Sequence, residues 1–235
     1  MTGIPPQALL VVRPEPGNTR TLARLHDLGA DATAFPLFAP AAIAWDVPDV
    51  RRFDALLVTS ANAVRLAGQT LSALAHLPVV AVGAESAAVA EAAGLTVVIT
   101  GTGGVHDALA AAATAGIVRP LHLAGREHVD SGHPTVIVYA SETLPTDPAA
   151  FAAAAADRIV LLHSVRAATR VAALLPDRSR TGIAALSPAI LAAAGNGWCL
   201  AKAAPLPTDA ALCQLGLALC TAAIDRAAGP MDKTA

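Results

Sequence analysis

Two stretches decide the fold when they are set side by side: Phe-Asp-Ala-Leu-Leu-Val-Thr-Ser-Ala-Asn-Ala-Val, from Phe53 to Val64, and Asp-Arg-Ile-Val-Leu-Leu-His-Ser-Val-Arg-Ala-Ala, from Asp157 to Ala168. In both, a short apolar run stops at a hydroxyl residue, Ser60 or Ser164, and a stretch of helical composition follows. Further out, the stretch Val79 to Ala87 has its counterpart around Gly182 to Ile190, with Gly83 against Ser187, and the same register carries Leu95 onto Cys199 and Gly104 onto Thr208 without a gap. A shorter echo pairs Leu9 to Glu15 with Pro120 to Glu127. Apolar strand, polar turn, alanine-rich helix is the pattern of a parallel sheet with helices on both faces. Its duplication predicts an α/β protein of two lobes, each a parallel sheet flanked by helices.

The breaks in the pattern place the lobes. A first strand at about Ala8 to Val12 leads into a helix at roughly Thr19 to Leu28, closed by Gly29. Two prolines then bracket Phe35-Pro36-Leu37-Phe38-Ala39-Pro40, and a second proline-bearing stretch, Tyr139 to Pro148, lies between the repeat copies. Proline disfavours helix at and before its position, so both read as extended linkers. The expected division is a discontinuous first lobe, residues 1–36 with 147–228, and a second lobe, 41–138. Linkers at 37–40 and 139–146 join them, and a tail follows at 229–235.

Composition excludes several functions. A net charge of −2, with only 16 Lys and Arg spread along 235 residues, lacks the basic stripe that nucleic acid requires. Three per cent aromatics offer no platform for stacking bases. A mean hydropathy of +0.55 invites a membrane reading. The longest charge-free stretches, however, are broken by Pro78 and Gly83 in one and by Pro188, Gly195 and Gly197 in the other, and a spanning helix needs about 20 apolar residues in sequence. Met1 to Gln7 has no basic segment, so no secretory signal is expected and a cytoplasmic protein is the default. Cys199, Cys213 and Cys220 form no C-x-x-C pair and read as buried thiols.

The motifs together resemble the uroporphyrinogen-III synthase family of tetrapyrrole (heme) biosynthesis. The matching residues are Val12-Arg13-Pro14-Glu15, the Pro36-Leu37 linker, Thr59-Ser60-Ala61-Asn62-Ala63-Val64, Val82-Gly83 with Ser86, Leu123-Ala124-Gly125-Arg126-Glu127, and Val138-Tyr139. Three departures stand out. The second Thr-Ser motif has become His163-Ser164-Val165-Arg166, its Val-Gly turn is Leu186-Ser187, and only about ten residues follow Arg126 where a helical crossover is usual. The resemblance implies two lobes joined by a two-stranded linker. It also implies a cytoplasmic, monomeric hydro-lyase with no cofactor and no metal. Its substrate is then hydroxymethylbilane, a linear tetrapyrrole with eight carboxylates, closed with inversion of the terminal ring and loss of water. Transient contact with the preceding deaminase, and none with nucleic acid or membrane, completes the expectation.

Ligands of parallel α/β sheets bind beyond the carboxyl ends of strands. Thr59, Ser60, Asn62, Gly83, Ser86, Gly103, Gly104, His163, Ser164, Arg166 and Ser187 all fall at expected strand-to-helix turns, which places the site in the cleft between lobes. Free N–H groups at helix starts suit a polycarboxylate, and Arg13, Arg126 and Arg166 add bidentate carboxylate contacts. The plain alternative for Ser, Thr and Asn here is helix capping. Tyr139, the one tyrosine, matches the family's linker tyrosine, a candidate proton donor to the departing hydroxyl; a packing role is its alternative. His122, Glu127, His128, Asp130 and His133 can be read as metal ligands, but solvated loop residues are favoured. Gly101 to Gly104 can be read as a phosphate turn, but fits neither the dinucleotide nor the P-loop pattern. The rival functions are an inactive small-molecule-binding or regulatory protein of the same fold and a nucleotide-binding protein.

Overall fold

The structure, a computed structural model, describes residues 8–102 and 104–228, with side chains to residue 222. Gly103 and the expected tail at 229–235 lie outside the described residues. The described residues divide into two compact units, 8–39 with 143–228 and those within 40–142.

Unit one holds a five-stranded parallel sheet. In chain order its strands are β1 (Ala8–Val11), β2 (Ala32–Ala34), β9 (Arg158–Leu162), β10 (Gly182–Ala185) and β11 (Leu200–Ala203), laid side by side as β11-β10-β9-β1-β2. Every residue of β1 and β10 is buried, which is why these strands read as unbroken apolar runs instead of alternating. The faces are told apart by neighbouring residues. Leu10, Val160 and Ile183 point to one core with Phe151 of α5 (Pro148–Ala155), Val171 of α6 (Val165–Leu174) and Ile190 of α7 (Pro188–Ala194). Leu9, Leu161 and Ala184 point to the other, against Leu25 of α1 (Gly17–Asp27) and Leu212 of α8 (Asp209–Ala228).

Unit two repeats the plan. Its six-stranded sheet runs β3-β8-β7-β4-β5-β6, from β3 (Phe38–Ala42), β4 (Ala55–Val58), β5 (Val79–Ala81), β6 (Val97–Thr100), β7 (Pro120–Gly125) and β8 (Thr135–Thr143). The strands β8-β7-β4-β5-β6 are mutually parallel. The chain passes between units within β3 and at the end of β8, which are neighbours in this sheet. The sequence repeat is visible as β4-β5-β6 against β9-β10-β11, and the shorter echo as β7 beside β4 against β1 beside β9. On one face Leu56, Val58 and Leu121 pack with Val64 of α2 (Ala61–Leu66) and Ala90 of α3 (Ala84–Ala92). On the other, Leu57 and Val80 pack with Ala108 and Ala112 of α4 (Val105–Thr114).

The units differ where the sequence is short. Helix α1 crosses from β1 to β2 and lays Leu25 over Leu9 and Val11, whereas β7 reaches β8 through residues 126–134, which form no helix or strand. His122, on the β7 face opposite to Leu121 and Leu123, lies under that loop, with no exposed surface, and is bonded to its Ser131. The expectation of a solvated loop residue is corrected by this burial inside a strand. Cys199 is likewise corrected: it precedes β11 and is exposed, while Cys213 and Cys220 are buried. No helix among the described residues is long and apolar enough to cross a membrane.

Candidate active site

In unit two the strand ends hold two coupled polar pairs. The Tyr139 hydroxyl donates to Ser60 Oγ at 3.2 Å, and Ser60, extended at the start of α2, accepts from the Asn62 amide at 3.3 Å. Beside it, Thr59 Oγ1 and His122 Nε2 are 2.9 Å apart, and Ser131 Oγ lies 3.1 Å from His122 Nδ1. A neutral imidazole donates to one of these hydroxyls and accepts from the other, so both bonds are made without a charge on His122. Burial, reinforced by the neighbouring His128 and His133, pushes its pKa down to about 4.

Tyr139 is half-buried and its ring lies on Gly125 of the adjacent strand, where a Cβ would stand 2.5 Å from Cζ and 2.8 Å from Oη. The phenol reaches Ser60 because position 125 carries no side chain. Arg126, next along, donates its amide to the Tyr139 carbonyl at 2.9 Å and pairs with Glu142 at 3.3 Å, both side chains exposed. Gly83 precedes α3 in extended backbone with open space at its Cβ. Ser86 is buried in the first turn of α3 instead of open at the turn.

In unit one, Ser164 accepts from the Ala167 amide at 3.1 Å and caps α6, and Ser187 accepts from the Ile190 amide at 3.4 Å and caps α7. Arg166 lies with its guanidinium 4.7 Å from the Phe38 ring centroid and donates to Thr143 Oγ1 at 3.2 Å. Arg13 and His163, at the ends of β1 and β9, both turn to Asp209 at the start of α8, at 3.3 and 2.9 Å. Burial lowers the His163 pKa against the opposing pull of Asp209. Burial alone would raise the Asp209 carboxyl, but bonds from His163 and Thr21 and the charges of His163 and Arg13 hold it well below the usual carboxylate range.

Sequence reading misses Ser131, Thr21 and Asp209, and takes His122 for a loop residue. The signal for His122 is its place between Leu121 and Leu123 in a buried strand. Thr21 and Asp209 meet across a separation of 188 residues and carry no local signal. No group of three or more His, Cys, Asp or Glu that could hold a metal ion occurs among the described residues.

These features define a class: a duplicated α/β protein whose two parallel sheets carry small hydroxyls, amides and a few arginines at their strand ends. Residues 19–131 match the family model described as uroporphyrinogen-III synthase HemD. That span includes Thr59, Ser60, Asn62, Gly83, Ser86 and Arg126. No curated protein matches the chain. Among solved structures, uroporphyrinogen-III synthetase from Helicobacter pylori 26695 is similar at 16% identity over 91% of this chain and 99% of that one, with a TM-score of 0.60, which shows a common fold. The wild-type uroporphyrinogen-III synthase from the extremely thermophilic bacterium Thermus thermophilus matches at 15% identity over 92% and 99%, with a TM-score of 0.41, too low to carry an argument. The chain thus resembles the uroporphyrinogen-III synthase family in sequence over residues 19–131 and in fold over most of its length.

Proposed function

We propose that this protein is a uroporphyrinogen-III synthase, a hydro-lyase that closes hydroxymethylbilane to uroporphyrinogen III with inversion of the terminal ring. The match of residues 19–131 to that family carries the reading. The strand-end chemistry supports it: Arg13, Arg126 and Arg166 suit carboxylates, as do hydroxyls and amides at Thr59, Ser60, Asn62, Gly83, Ser164 and Ser187, whereas His163 gives its Nε2 to Asp209 and keeps Nδ1 buried. Helices α2 and α7, of six and seven residues, add little dipole, so side chains and the longer α3 and α6 bear this role. Ser86, being buried, supports packing instead.

Tyr139 is the proposed proton donor. As the C–O bond of the hydroxymethyl group breaks, an adjacent pyrrole supplies the electron pair and the oxygen leaves as water with the phenolic proton. The terminal ring attacks through the carbon that already bears its methylene bridge. That bridge bond then breaks with the electron push of the neighbouring pyrrole and re-forms at the ring's free α carbon, whose hydrogen leaves as the proton that restores the phenol. Because the pyrroles provide the push, the protein acts mainly by holding the chain so that the inverted carbon attacks. No cofactor or metal enters this reaction. The same reading makes the protein a cytoplasmic monomer that meets the preceding deaminase only transiently. The product isomer tests it: isomer III supports the proposal, whereas isomer I alone leaves the inactive binding protein.

A further inference from the structure

We infer that Asp209 is a positioning residue, holding Arg13 in the orientation in which it meets a substrate carboxylate and fixing the His163 ring beside it. The inference rests on the proposed function for the substrate and on geometry for the rest. Asp209 Oδ1 accepts from His163 Nε2 at 2.9 Å, Thr21 Oγ1 at 2.7 Å and Arg13 Nη1 at 3.3 Å, while Oδ2 accepts from Arg24. Donors from the end of β1, from α1 and from the end of β9 thereby converge on one carboxylate of α8. Thr21 has no exposed surface, so this anchor is fixed in the core.

The charge pattern explains why a carboxylate is needed there. The Arg13 guanidinium lies against Gly17 at the amino end of α1, where a Cβ would stand 2.7 Å from its Nη2. That helix end is partially positive, and Arg20 and Arg24 of the same helix add their repulsion. Left alone, Arg13 would swing out to solvent. Asp209 keeps it half-buried at the strand end and, by accepting from Nε2, fixes the Nε2–H tautomer of neutral His163. Immobilising one long side chain before binding is worth roughly two- to twelvefold in affinity.

Asp209→Asn, Asp209→Glu and Thr21→Val test the role. The expected result for Asp209→Asn is a KM for hydroxymethylbilane raised roughly tenfold with kcat nearly kept. Thr21→Val, which keeps the charge, should give a smaller rise, and Asp209→Glu should recover part of it. Nitrogen-15 spectra of the His163 ring give a readout that global destabilisation would not move. Asp209→Asn should lose the single tautomer and shift the His163 titration to lower pH, in a setting whose other charges are Arg13, Arg20 and Arg24, with the Cys213 thiol uncharged. Unchanged KM together with an unchanged tautomer would overturn the inference. If the wild-type protein forms no isomer III, the functional reading falls, and the tautomer still decides whether Asp209 positions the ring.

Discussion

Tyr139 and Gly125 act as one unit, because the ring occupies the space a side chain at 125 would need. Gly125→Ala is expected to push the ring off its strand, cost about 1–3 kcal/mol by overpacking, and lower turnover with the lost Ser60 bond; a denaturant midpoint and a rate measurement check both. Tyr139→Phe removes the proton donor and the bond to Ser60 while leaving the ring on Gly125, and is expected to lower kcat by about 10²- to 10⁴-fold at a stability cost of about 0.5–1.5 kcal/mol. His122 sets a pH dependence. Its folded pKa of about 4 lies below the unfolded value near 6.5, so the unfolded chain binds the extra proton first and stability falls as pH drops through that window. The loss should approach about 3 kcal/mol, and His122→Asn should flatten the melting temperature between pH 6.5 and 4. Serines after apolar runs were legible as caps from sequence alone. His122 was not, because it groups by residue type with Glu127, His128, Asp130 and His133 of the loop, while its place between Leu121 and Leu123 assigns it to the strand.

Helix starts are set by single side chains. Asp147 accepts from the amides of Ala149 and Ala150 ahead of α5, so Asp147→Ala should cost about 1 kcal/mol in urea unfolding. Phe151, fully buried in that helix and edge-on to Phe35 at 5.2 Å, should cost about 3–5 kcal/mol on truncation to alanine. Strands and helices of the repeat were readable because both faces of each sheet are covered, which leaves unbroken apolar runs separated by polar turns. The connection after Arg126 was readable as short. What covers β7 in place of a helix was not, since the Ser131–His122 bond has no sequence periodicity.

Across the whole molecule, one plan built twice accounts for the order β11-β10-β9-β1-β2 and for the strands β6-β5-β4-β7-β8 of the second sheet. The duplicated topology was legible because register is preserved from Phe53 through Thr208. The convergence on Asp209 was not, since distant elements bring it together. Burial also sorts the thiols: Cys213 and Cys220 are pushed up to about 11 by burial, so a disulfide-exchange reagent should modify Cys199 in the native protein and the other two only on unfolding. The central claim is catalytic, and the product isomer tests it most directly. Freshly generated hydroxymethylbilane is supplied, the products are oxidised, and uroporphyrin I and III are resolved chromatographically against a control without protein. Predominant isomer III is the predicted result; isomer I alone from folded protein would contradict the account.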